Sequence, residues 1–200
     1  HELKLVSLKG SYVESAGRPG LISEICPNIQ QLDISYTKLQ DFSQVLQICK
    51  ELPQLEFLDI SGVPLTKSSF KFHRQRYSVK TLVMSNLQLN EKELKIVSDC
   101  FPEVEMLVLG SLKTNFTSVF DECFVNIKSL HLPQSNVTSP EDLLMLAKLP
   151  FLEELILAGN DLEAIPELED SDFRKLKELN LENTLVSSLH CINNLNSLES

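Results

Sequence analysis

The chain has 200 residues, 36 of them leucine, and carries 18 basic and 28 acidic side chains for a formal net charge of -10. That balance argues against nucleic acid as the main partner, because binding phosphate calls for a basic surface. Apolar runs reach only about five residues, as in Leu143 to Ala147, which excludes a membrane helix of roughly 20; an apolar fraction of 42% still fits a folded chain.

In chain order, one segment keeps returning. LKLVSLKGSYV opens at Leu3 and IQQLDISYTKL at Ile29; LEFLDISGVPL follows from Leu55, VKTLVMSNLQL from Val79, VEMLVLGSLKT from Val104, IKSLHLPQSNV from Ile127, LEELILAGNDL from Leu152 and LKELNLENTLV from Leu176. A ninth begins at Leu195, and the starts lie 26, 26, 24, 25, 23, 25, 24 and 19 residues apart. Within each segment the L-x-L pair points to one side of a short strand and the residues between point to the other. Stacked copies then bury a leucine core that no single copy could bury alone.

Between strands, Asp41-Phe42-Ser43-Gln44, Asn90-Glu91-Lys92-Glu93 and Ser139-Pro140-Glu141-Asp142 each read as a helix N-cap with a carboxylate or amide three residues on. Apolar residues at helical spacing follow each cap. Pro27, Pro53, Pro102 and Pro150 each stand two residues before the next strand's first apolar position, where proline ends a helix and favours extended chain. Segments 64–78, 113–126 and 163–175 read as more irregular. The pattern predicts an α/β leucine-rich repeat solenoid over residues 1–200, about eight repeats in a horseshoe, with a parallel β-sheet on the concave face and helices or irregular segments on the convex face. Repeats are under way at both ends of the sequence, so a fragment of a longer, monomeric protein is expected.

No enzyme chemistry is legible. His1, His73, His131 and His190 are scattered without metal-ligand spacing to the cysteines, and no nucleophile elbow, phosphate loop or dinucleotide fingerprint occurs. No catalytic residue, cofactor or metal is expected, and the adjacent His190-Cys191 reads as ordinary repeat packing. Asn160, at the ninth repeat place, is expected to satisfy backbone groups at the turn after its strand.

The outward strand residues are the expected binding face. Third and fifth repeat places put Phe57, Val83, Met106 and Val108 there, an apolar group on a surface that should meet water. Lys67, Lys71, Arg74 and Arg76 fall in a stretch, 67–80, that holds no acidic residue, a candidate for electrostatic steering. Residues 141–182 hold 12 carboxylates against four basic side chains, and the loop from Pro166 to Asp172, the most acidic part, is expected to be exposed.

The run from Cys26 to Leu65, CPNIQQLDISYTKLQDFSQVLQICKELPQLEFLDISGVPL, resembles the tubulin-folding cofactor E family, including its cofactor E-like branch. So do the opening VSLKGSYVESAG, Val6 to Gly17, and the closing PFLEELILAGNDLEAIPELEDSD, Pro150 to Asp172. The resemblance runs along the whole chain in register. Phe42 and Leu189 depart from it, standing where the family leads one to expect tryptophan. It implies a non-catalytic chaperone module that binds α-tubulin while the α/β-tubulin heterodimer is folded, assembled or dismantled, with other tubulin-folding cofactors as possible partners and a cytoplasmic, cytoskeleton-associated location. A general cytosolic or nuclear scaffold with another client is the alternative. The family's ubiquitin-like and glycine-rich CAP-Gly domains have no counterpart in these 200 residues.

Cys26, Cys49, Cys100, Cys123 and Cys191 fall singly on return segments, as buried thiols of a reducing compartment would. The triplets Asn115-Phe116-Thr117 and Asn136-Val137-Thr138, and the equivalent places of Cys100 and Cys123, fit a secreted recognition domain instead. Five free thiols are the expectation.

Overall fold

The structure, a computed structural model, describes residues 3–71, 73–112 and 117–187. The chain divides into two compact units, His1–Val104 and Glu105–Ser200.

In the first unit, β1 (Leu5–Ser7), β2 (Gln31–Asp33), β3 (Phe57–Asp59) and β4 (Thr81–Val83) pair in parallel and in chain order, each repeat place opposite its equivalent, as with Leu32, Leu58 and Leu82. The short helix α1 (Leu21–Ile25) follows β1, α2 (Phe42–Glu51) follows β2 and α3 (Glu91–Cys100) follows β4. In the second unit, β5 (Met106–Val108), β6 (Ser129–His131), β7 (Glu154–Ile156) and β8 (Glu178–Asn180) form an equivalent parallel ladder, with α4 (Pro140–Ala147) after β6. The helices that the caps predict are present; α1, which carries no buried residue and no side-chain cap of its own, is not legible in the repeat pattern. Segments 64–78 and 113–126 contain only the single 3-10 turns Lys67–Ser69 and Thr117–Asp121 among their described residues.

The core is the leucine pattern made solid. The first, fourth and sixth places are buried through the second to seventh repeats, for example Ile29, Leu32 and Ile34, or Leu152, Leu155 and Leu157. Removing such side chains from water is worth about 1.5–3 kcal/mol each. Helices add the layer behind the sheet: Phe42, Val45 and Leu46 of α2 are buried, and the Phe42 ring stacks on Phe70 at 4.7 Å between centroids. An aromatic anchor at position 42 therefore does meet an aromatic neighbour.

Two of the three predicted caps close completely. Asn90 accepts the N–H groups of Lys92 and Glu93 while Glu93 accepts the N–H of Asn90, and Ser139 and Asp142 do the same at α4. At α2, Asp41 accepts the Ser43 N–H, but Gln44 does not reach back; its amide oxygen accepts the N–H of Ala16 in the preceding repeat at 2.9 Å.

The turn after each strand is the least local part of the repeat. Its eighth place is left-handed in all eight repeats: Gly10, Tyr36, Gly62, Asn86, Ser111, Gln134, Gly159 and Asn183, with φ between 52° and 72°. Only three of these are glycine, so residue preference does not impose the shape. The ladder does. Within the first unit the N–H groups of Gly10, Tyr36 and Gly62 donate to Ser35, Ser61 and Ser85 carbonyls of the next repeat at 2.8–2.9 Å. Within the second, Ser111, Gln134 and Gly159 donate likewise to Pro133, Ala158 and Glu182.

Candidate partner-binding surface

On the first unit's outward sheet face, the rows read Gln31, Phe57, Thr81 and Asp33, Asp59, Val83. Phe57 and Val83 sit on adjacent strands but on the diagonal, since Phe57 faces Thr81 and Val83 faces Asp59. Both are half-buried rather than exposed. The two aspartates in the row of Val83, Asp33 and Asp59, are already engaged. Asp33 accepts the Ser35 hydroxyl at 2.6 Å, the Ser35 N–H at 2.9 Å and the Ser7 hydroxyl at 3.0 Å; Asp59 accepts the Ser61 N–H at 2.8 Å. Burial alone would push the Asp33 carboxyl up, but Ser35, Ser7 and the nearby Lys9 ammonium hold it below its ordinary value.

On the second unit's face, Met106 lies opposite Ser129, and Val108, His131 and Ile156 form one row across β5, β6 and β7. Met106, Val108 and Ile156 are half-buried. They surround a polar knot: the Ser129 hydroxyl donates to Glu154 and lies 3.1 Å from His131 Nε2, which is itself 3.2 Å from Glu154 Oε2. The Ser129 and His131 contacts hold the Glu154 carboxyl below its usual range. Hydroxyl and carboxylate meet the same ring nitrogen, whereas a hydrolytic relay places them on opposite nitrogens of the imidazole. The knot fixes side chains on the face; it is not built to pass a proton.

Lys67, Lys71, Arg74 and Arg76 are exposed and have no carboxylate within ion-pairing distance among the described residues. They do not join the sheet-face group. Arg76 lines a cleft with Lys50 at the end of α2, on the helix side of the first unit, and Lys67 opens the 3-10 turn. Lys50, which completes that cleft, carries no signal in the linear charge pattern because it lies 26 residues from Arg76.

Asn160 does what its place in the repeat predicts. Its amide oxygen accepts the N–H groups of Ser135 and Val137, and its amide nitrogen donates to the Leu132 and Leu157 carbonyls, all within 3.0 Å. The acidic loop differs from expectation at its last residue. Glu167, Glu169 and Asp170 are exposed, but Asp172 is buried, accepts the Glu169 N–H and pairs with Lys148 at 2.7 Å. Burial would raise its carboxyl, and these two partners hold it down instead.

Cys26, Cys49, Cys100 and Cys123 are free thiols. Burial pushes Cys49 up and Cys100 up to about 11. Asn136 is exposed with a left-handed backbone; Asn115, Phe116, Leu189, His190 and Cys191 lie outside the described residues. Among the described residues no group of three His, Cys, Asp or Glu side chains is placed to hold a metal ion, and no helix is long and apolar enough to cross a membrane.

No protein-family model matches the chain. It is 30% identical over 191 residues to the tubulin-specific chaperone cofactor E-like protein of Homo sapiens, covering 92% of this chain and 45% of that one. It is 30% identical over 207 residues to the tubulin-specific chaperone E of Homo sapiens, covering 100% of this chain and 39% of that protein. The tubulin-folding cofactor E of Arabidopsis thaliana is 29% identical over 168 residues, or 82% of this chain. The chain thus spans less than half the length of the curated relatives it matches. Among solved structures, internalin C2 of Listeria monocytogenes superposes with a TM-score of 0.65 at 21% identity, over 98% of this chain and 76% of that one, a likeness of fold alone. With the repeats in register within each unit, the chain is a leucine-rich repeat relative of the tubulin-specific chaperone E and cofactor E-like proteins.

Proposed function

We propose that the chain is the client-holding part of a non-catalytic tubulin chaperone, acting in the cytoplasm in association with the cytoskeleton, with α-tubulin as its direct client. The names of its relatives support the class of client. The observation that carries the reading is the outward sheet face of the second unit, where Met106, Val108 and Ile156 stand half-buried beside the bonded Ser129, His131 and Glu154. An apolar centre with a bonded polar surround is the composition of a protein interface. Phe57 and Val83 supply the same chemistry to the first unit's face. Lys67, Lys71, Arg74 and Arg76, exposed and without an ion partner among the described residues, steer an acidic client during encounter, an effect that salt screens.

The double substitution Met106→Asp with Val108→Asp tests this. Both side chains lie on the outward face, so melting should change little while α-tubulin retention by the immobilised chain falls by about tenfold or more. Undiminished retention by the double variant would dispose of the sheet face as the client site. Retention of an unrelated protein with no retention of tubulin would favour a general scaffold.

A further inference from the structure

Among the described residues, the basic side chains of 67–80 have no carboxylate within ion-pairing distance, in a chain with ten more acidic than basic groups. Elsewhere, lysines with a carboxylate in reach take it: Lys128 pairs with Glu105, Lys177 with Glu153 and Lys148 with Asp172, at 2.6–2.7 Å. On the helix side of the first unit, two cations are instead brought to one place. A cleft of about 210 Å³ lies between the end of α2 and the segment leading into β4, with Lys50 and Arg76 among its lining residues. Its floor is apolar and fixed, since Leu52, Leu55 and Val79 are buried. One wall is anchored as well: the Tyr77 N–H donates to the Cys100 carbonyl at 2.9 Å and the Tyr77 ring packs on Phe101. Gln75 and Ser78 add polar groups, and the Ser78 hydroxyl donates to Glu103 at 3.3 Å.

We propose that this cleft is a seat for an acidic segment of a protein partner, with one carboxylate held by Lys50 and Arg76 and the aliphatic part of the segment resting on Leu52 and Pro53. Arginine offers a carboxylate two parallel donors and lysine a mobile third. Lys71, Arg74 and Lys80, exposed on the same segment, extend the basic track for neighbouring acidic residues. The apolar floor favours peptide over a bare anion. The net charge of -10 repels a polyanion such as nucleic acid more than a short peptide. The inference differs from steering, which depends on total charge and not on which cation is present, and it does not require tubulin as the client.

A fluorescent decapeptide of alternating glutamate and alanine, compared with its glutamine counterpart, is the probe for the whole chain. The glutamate peptide should bind saturably and the glutamine peptide should not. Lys50→Gln with Arg76→Gln should weaken binding by about tenfold or more, with melting unchanged because both side chains are exposed. Lys38→Gln with Lys92→Gln removes the same charge at two exposed lysines outside the cleft and its track and should weaken binding by less than about threefold. Equal losses in the two double variants, or equal binding of the two peptides, would overturn the seat in favour of bulk charge. Tighter binding of inorganic phosphate or of an oligothymidylate than of the glutamate peptide would overturn it in favour of a phosphate site. Failure of tubulin retention with the peptide results intact would count against the client alone.

Discussion

Asn160 is buried with all four of its hydrogen bonds made to backbone of its own and the preceding repeat. A leucine there would fill the space and strand two N–H groups and two carbonyls. Asn160→Leu should therefore cost about 1–3 kcal/mol or more, read from the urea midpoint, and a loss below about 0.5 kcal/mol would mean that water replaces the amide. Gly62 makes a second residue-scale case. Its φ is 63°, and a Cβ built there would lie 2.4 Å from Cε1 of Tyr36, whose ring covers the glycine and whose hydroxyl accepts from Asn86 at 3.0 Å. Gly62→Ala should destabilise by about 1–3 kcal/mol through backbone and clash together. Adding Tyr36→Ala should return the clash but not the backbone part; complete recovery in the double variant would show that the turn tolerates a side chain. Tyr36 is itself a bulky residue at positive φ, held there by its N–H to the Ser61 carbonyl and by the glycine beneath it.

At the scale of elements, each repeat borrows what it lacks from the next. Helix α1 has no cap of its own; Glu51, at the end of α2, accepts the Ile22 N–H at 2.8 Å and the Ser23 N–H at 3.4 Å and so closes the α1 N-terminus from the following repeat. Burial would push this carboxyl up, but the N–H groups of Gly20, Ile22 and Ser23 and the Gln47 amide hold it below its ordinary 4.5. A carboxyl depressed by folding stabilises above its unfolded value and loses that contribution as pH falls through its folded one. Glu51→Gln should accordingly destabilise at about pH 7, and the gap between variant and parent should close as pH drops below about 4.5. Denaturant curves at the two pH values check this, and a gap that is the same at both would mean that the carboxylate charge is idle. Charges outside the strands follow the same neighbour logic: Glu105, Lys128, Glu153 and Lys177 occupy the second place of successive repeats and alternate in sign, with bonded pairs at either end. Being exposed, they add little to stability.

Over the whole molecule, the repeated core leaves little room for exposed thiols. Cys49, Cys100 and Cys123 are buried and Cys26 is half-buried. A thiol reagent at about pH 8 should react promptly with Cys26 and slowly with the buried three, since the thiolate is the reactive form. The denatured, unreduced chain should then titrate five thiols, one for each cysteine in the sequence. Three or fewer would mean a disulfide and would move the chain to an oxidising compartment.

The sequence by itself determined the repeat, its strands and three of its helices, because apolar fourth and sixth places, which recur in eight segments, and the three helix caps are local patterns. It also determined the role of Asn160, whose partners lie at fixed repeat offsets. The tertiary structure alone decided the rest: that Gln44 serves Ala16, that Glu51 caps α1, that Asp172 is buried against Lys148, and that Lys50 meets Arg76 in one cleft. Each of these joins groups separated by about one repeat, or set by the path of an irregular return segment. No spacing rule reaches that far, and the free energy is settled by which donor, acceptor or charge stacking brings nearest.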